Sequence, residues 1–215
     1  PGSCLSILNL ADKVIKPVNE GELGRKAIHY FSSLIPIIYH FFFTRNEAVV
    51  IIGILFIGIV VAELMRMHLP ALRRLYYRLF GWMIRPHEFH NHFTGATYVF
   101  MGAFLAIFLF PKEVAVTSLL ILTVGDPTAC LVGLSIGRIK IYNNKTLEGA
   151  LAFIFVSLIA TLWISSIPFW IKLVGAVVAC CVEVFHRKID DNVLIPLISG
   201  TTIFFLVELG NFLNI

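Results

Sequence analysis

An aspartate followed by a proline inside an apolar run, Val124-Gly125-Asp126-Pro127-Thr128-Ala129, concentrates more chemistry than any other stretch of this sequence. An ionisable side chain at membrane depth costs about 3 kcal/mol unless it finds partners. Asp followed by Pro also reads as a helix start, with Asp126 as N-cap and Pro127 at the first helical position. A broken helix is therefore expected near Asp126. Its new end would offer free backbone N–H groups and a positive dipole end, which suit phosphate. Discontinuous helices with buried ends also mark transporter substrate sites.

Ala129, Gly133 and Gly137 follow at intervals of four residues. They read either as a small-residue face for close helix packing or as room for a nucleotide against the backbone. Arg138, Lys140 and Lys145 come next, on a loop over 138–146 that ends in Lys145-Thr146-Leu147-Glu148-Gly149. Such a basic loop can clamp a polyphosphate. A second dense cluster, Arg187-Lys188-Ile189-Asp190-Asp191-Asn192, offers hard oxygen ligands suited to Mg²⁺, which takes carboxylates together with phosphate oxygens. Read alone it is a polar turn, and Pro196 and Gly200 predict a kink beyond it. Near the start, Glu22, Arg25, Lys26 and His29 fall along one helical stripe. The plainer reading of Arg25 and Lys26 is a snorkelling anchor, but His29 lies a turn deeper. Glu63 and Arg66 form a similar i, i+3 pair. His87, His90 and His92 lack metal-type spacing, and Cys4, Cys130, Cys180 and Cys181 read as small buried hydrophobes.

The elements that must hold these residues are dictated by composition. The chain has 215 residues, 58% of them hydrophobic and 14% charged, too little charge to cover a soluble domain. A helix crossing the hydrocarbon layer needs about 20 apolar residues. Seven segments meet or approach that length: 26–43, 48–65, 93–110, 114–137, 147–170, 173–185 and 193–213. The expected fold class is thus an all-α integral membrane protein, one domain over 1–215. Residues 1–20 form a tail of mixed polarity without the layout of a signal peptide. Over 68–91, apolar residues recur at helical spacing while Arg73, Arg74 and Arg78 point elsewhere. That predicts an amphipathic helix at the interface, or one packed on the bundle.

Seven spans place fourteen of the seventeen lysines and arginines on one side, leaving Arg45, Lys112 and Lys172 on the other. The positive-inside rule puts the rich side, with the N-terminus, in the cytoplasm. The net charge of +4 reflects this topology, and no nucleic-acid partner is expected. Most of the acids share the rich side, as a site handling a cation and an anion together would require.

Five of these pieces, in this order, resemble the CTP-dependent lipid kinases, the family that includes dolichol kinase, phytol kinase and the CTP-using diacylglycerol kinases. They are Glu22-x-x-Arg25-Lys26-x-x-His29, the 91–98 stretch with Thr94-Gly95-Ala96, Gly125-Asp126 with Gly133 and Gly137, Lys145 to Gly149, and Asp190-Asp191-Asn192 with Pro196. The resemblance runs from Glu22 to the last span. It implies transfer of the γ-phosphate of CTP to a membrane lipid alcohol, releasing CDP. By position it carries over Arg25, Lys26, Asp126 and Gly133 as essential. This chemistry depends on positioning and charge neutralisation. Asp126, with Asp190 or Asp191, is expected to hold Mg²⁺. Lys145, Arg138, Arg25 and Lys26 would meet the phosphates, aided by Gly125, Gly133, Gly137, Thr146 and Asn192. Asp126, Glu148 or His29 would orient or deprotonate the alcohol. Two rivals use the same ingredients: a phosphatidate cytidylyltransferase, which releases pyrophosphate, and a small anion transporter, which turns over no nucleotide.

Overall fold

A computed structural model of the protein describes residues 20–81, 92–143, 145–185 and 189–213. Among the described residues it is built from nine helices and one short hairpin. The order is α1 (Glu20–Ser32), α2 (Leu34–Phe42), α3 (Arg45–His68), α4 (Pro70–Phe80), α5 (Gly95–Leu109), α6 (Lys112–Ser135), β1 (Lys140–Tyr142), β2 (Lys145–Thr146), α7 (Leu147–Thr161), α8 (Phe169–Phe185) and α9 (Asp191–Leu213).

Local signals explain several boundaries. Thr44 and Glu47 close a reciprocal capping box at the start of α3. Pro70 opens α4 in the first turn, where its missing N–H costs nothing. Thr146 accepts from Gly149 N and so caps α7. Asp190 accepts from Asn192 N at 3.0 Å and does the same for α9. The antiparallel β1–β2 hairpin turns at Asn143, whose φ of 48° is tolerated by asparagine.

The helices α3, α6 and α9 are long and apolar enough to cross a membrane, and α5 and α7 are shorter apolar helices. All seven expected segments coincide with helices, but only these three reach full spanning length. The fifth stops at Thr161, well short of its expected end at residue 170. The spans differ in surroundings. Over its most apolar stretch α6 is 83% buried, against 17% for α3 and 33% for α9. The central helix α6 packs on α1, α2, α5, α7, α8 and α9. Outer helices expose Ile54, Ile57, Phe155 and Phe205, as a lipid-facing surface requires. The burial of α6 is what allows a carboxylate in its middle, because its surroundings are protein rather than lipid.

The break expected at Asp126 does not form. The helix runs unbroken from Lys112 to Ser135 with Pro127 inside it. Proline frees one carbonyl of the preceding turn, but neighbouring helices and hydroxyl side chains can absorb that loss inside a membrane protein. Here Thr128 Oγ1 donates to Val124 O at 2.6 Å across the same turn. The discontinuity lies instead in the first span, which divides into α1 and α2 at Ser33. There Ser32 and Ser33 donate to the carbonyls of His29 and Tyr30, each at 2.6 Å, and Pro36 follows in the first turn of α2. Serine pairs and proline are the ordinary causes of such kinks.

The amphipathic helix expected over 68–91 is present as α4, without a buried residue. Its continuation beyond 81, including Met83, lies outside the described residues, as do the tail 1–19 and Arg187 and Lys188.

Candidate active site

Asp126 accepts from Lys26 Nζ at 2.8 Å, and His29 Nδ1 lies 3.6 Å from the same carboxylate oxygen. Lys26 and Asp126 are both buried, at 8% and 7% exposure. Helical spacing explains why one short segment supplies both partners: Lys26, His29 and Tyr30 stand three and four residues apart on one face of α1. Tyr30 adds a second tie, its hydroxyl 2.7 Å from Thr128 Oγ1. Because the Thr128 proton goes to Val124 O, the tyrosine is the donor. Removing one partner of a buried ion pair costs about 3–5 kcal/mol, since the other charge is stranded.

A second ion pair comes from elements far away in sequence. Lys145 on β2 donates to Glu183 near the end of α8. Burial by itself would push the Lys145 amine down, but the Glu183 carboxylate outweighs it and the ammonium is held above its usual range. The Lys145 charge also acts on Asp126 and Asp191, and Glu183 acts on both Asp126 and Lys26. The two pairs therefore form one electrostatic cluster. Asp191 feels Asp126, Lys145, Glu183 and Asp190.

Of the residues singled out from the sequence, Lys26, His29, Asp126, Lys145 and Asp191 are thus assembled, with Asp190 beside them. Others take a different place. The Glu148 carboxylate receives the Ile139 N–H, with both oxygens at 3.3 Å, and fastens the hairpin to α7. Arg138 is exposed. Gly133 and Gly137 face Thr146: a Cβ at Gly137 would come within 2.7 Å of its side chain. A Cβ at Gly125 would meet Ser157 Oγ at 2.6 Å and the buried Phe153 ring at 2.9 Å. Gly133 and Gly137 thus allow close packing on the cap of α7, and Gly125 on its middle.

Glu183, counted only among the acids of the rich side, was given no site role, although it carried the same signal as Asp126: an acid within an apolar run. A third buried pair sits nearby. Glu63 accepts from Arg66 Nε at 2.9 Å and Nη2 at 2.6 Å, and from Thr94 Oγ1 at 2.8 Å. Arg66 also donates to His92 O at 2.7 Å and lies 5.1 Å over the Tyr76 ring. This network fastens α3 to the start of α5.

Among the described residues no three or more His, Cys, Asp or Glu side chains converge as a ready metal cage. His87 and His90 lie outside them. The Asp126 carboxylate, paired with Lys26, also acts on Asp191, so these two acids share one region of the site. A cavity of about 390 Å³ adjoins the cluster, walled by α1, α3, α4, α5 and the first turn of α9. Lys26 and His29 line it as well as contacting Asp126.

The chain is 30% identical over 209 residues to CTP-dependent diacylglycerol kinase 1 of Schizosaccharomyces pombe, a match covering 86% of this chain and 94% of that protein. It is 31% identical over 144 residues to CTP-dependent diacylglycerol kinase 1 of Saccharomyces cerevisiae, covering 66% of this chain and 44% of that one. An uncharacterized protein of Rickettsia prowazekii is 29% identical over 194 residues, covering 85% and 94%. No family model and no solved structure matches.

Proposed function

This chain belongs to the family of CTP-dependent lipid kinases, and from that premise we propose that it phosphorylates diacylglycerol at the charged cluster around Asp126. The observation that carries this reading is the meeting of Lys26, His29 and Asp126 with Lys145 and Glu183, which join four elements into one charge-balanced site. Phosphoryl transfer asks little covalent chemistry of the protein and much placement of charge.

In this reading Lys145 leaves Glu183 to meet the phosphates of CTP, so that Glu183 serves to hold the lysine in place between turnovers. Lys26 neutralises charge beside it, and Arg25 and Arg138 meet phosphate oxygens further out. The N-termini of α7 and α9, beside Lys145 and Asp191, add positive dipole ends. They take the part that the sequence assigned to a break at Asp126. Asp126 and Asp191 would hold Mg²⁺, whose charge would further neutralise the triphosphate.

The lipid hydroxyl then attacks the γ-phosphorus. A new P–O bond forms, the β–γ bridging bond breaks, and CDP leaves with its electron pair. His29 takes the hydroxyl proton, oriented by the Asp126 carboxylate. Glu148 is engaged with the hairpin instead. The rich side of the positive-inside count would place this site and the N-terminus at the cytoplasmic face, with seven apolar segments crossing.

The test is turnover of γ-labelled CTP by the purified chain, given in turn diacylglycerol, a polyprenol and phytol. Label in phosphatidate is expected. Label in polyprenyl or phytyl phosphate alone would change the acceptor. Pyrophosphate with an unlabelled lipid would mean a cytidylyltransferase. Anion flux in proteoliposomes without nucleotide turnover would mean a transporter.

A further inference from the structure

We propose that the cavity walled by α1, α3, α4 and α5 is the acceptor-lipid pocket, and that the Asn192 side-chain carbonyl at its inner end anchors the lipid hydroxyl. This rests on the kinase reading for its chemistry but on separate residues for its location.

The argument begins with an amide whose orientation is fixed. Asn192 Nδ2 donates to Asp190 Oδ1 at 2.6 Å, and that same oxygen accepts the Asn192 backbone N–H at 3.0 Å. An ionised carboxylate only accepts, so the nitrogen must face Asp190 and Oδ1 must face away. Asn192 is 7% exposed and lines the cavity, yet Oδ1 takes no hydrogen bond among the described residues. A buried acceptor left without a donor costs about 1–3 kcal/mol. A group bringing an O–H satisfies it, whereas an anionic phosphate does not. The side chain is therefore complementary to an alcohol, not to a phosphate group. Its position is rigid, because α5 and α9 touch there: a Cβ on Gly102 would fall 2.0 Å from Asn192 O.

The rest of the cavity matches a lipid's end. Its volume of about 390 Å³ falls within the range of small-ligand pockets, enough for a glycerol headgroup and the first carbons of its chains. Ile28, Ile59, Val99, Phe80 and Phe100 supply the apolar wall. Lys26 and His29 form the wall shared with Asp126, so a hydroxyl held at Asn192 lies on the side where the phosphate must arrive. The Thr94–Glu63–Arg66 network stiffens the opposite wall. Ala62, exposed on the outer surface of α3 and also lining the cavity, marks its mouth toward lipid.

Two variants and a probe test this with the 215-residue chain in lipid nanodiscs. Asn192→Leu removes the carbonyl at similar size, and Ala62→Trp fills the mouth at an exposed position where folding is least at risk. Both are expected to raise the KM for diacylglycerol at least tenfold while the KM for CTP stays within twofold. An unchanged lipid KM in both, or equal changes in both constants, overturns the proposal. Binding without turnover is read with a diacylglycerol carrying a diazirine beside one ester. Label is expected on α3, α4 and α5, lost in Ala62→Trp and kept with excess CTP. Label confined to the outer faces of α7 and α8 overturns the proposal even in an active kinase. Label in the cavity of a chain that transfers no phosphate removes the kinase reading and leaves the pocket standing.

Discussion

The two ends of the helical bundle use their cations in opposite ways. At the sparse end, each cation serves a backbone carbonyl. Lys112 donates to Phe43 O at 2.8 Å, Arg45 to Ile107 O at 3.3 Å and to Phe108 O, and Lys172 to Ile164 O. These bonds satisfy carbonyls at or just beyond helix C-termini, where the dipole is negative. Lys112 also lies 5.4 Å from the centre of the Tyr39 ring. At the rich end, Lys26, Lys145 and Arg66 each meet a buried carboxylate: Asp126, Glu183 and Glu63. Fastening two helices requires one cation and one carbonyl. Burying three acid–base pairs is a poor route to stability, because desolvation consumes most of the attraction. On the proposed reading, the pairs of Lys26 with Asp126 and of Lys145 with Glu183 are kept for what they bind.

That contrast can be broken by substitution, and the largest effect belongs to the rich end. Asp126→Asn should lower turnover of labelled CTP by about a thousandfold, the scale of losing a preorganised electrostatic group. The thermal transition should remain single and cooperative. Retained activity would remove Asp126 from the site. Lys145→Ala should raise the KM for CTP about tenfold, the scale of one charge-assisted bond, with the lipid KM unchanged. Equal changes in both constants would instead make Lys145 a scaffold residue. At the sparse end, Lys112→Met should cost about 1–2 kcal/mol in stability measured by denaturation, the scale of a bond from a charged donor, with kcat unaltered. A drop in kcat with no loss of stability would erase the distinction between the ends. The smallest effect is expected from Glu148→Gln, which keeps an acceptor for the Ile139 N–H and should alter kcat less than about twofold.

Legibility from sequence also divided along physical lines. Asp126 stood out because a carboxylate in an apolar run has few explanations. The Lys26–His29 stripe followed from helical spacing, and α4 from its amphipathic pattern. The small-residue series gave a packing face that contacts Thr146 as such a face should. The helix break was misplaced because Asp-Pro is a local signal. Six helices packed around α6 outweigh the loss of one hydrogen bond at Pro127, while the thinly covered first span yields at Ser33. Glu148, three residues from Lys145, was assigned to the site, whereas Glu183, which faces that lysine, was not. Spacing along one strand of chain does not say which of two acids faces a lysine from the same loop.

From sequence alone came a helical membrane protein with its charge drawn to one side, since apolar run length and lysine and arginine counts act residue by residue. The contacts of Lys145 with Glu183 rather than Glu148, and of Lys26 with Asp126 across 100 residues, were decided only by the folded bundle. Charges buried in a medium of low dielectric must find partners wherever packing brings them, and packing is a property of all the helices together.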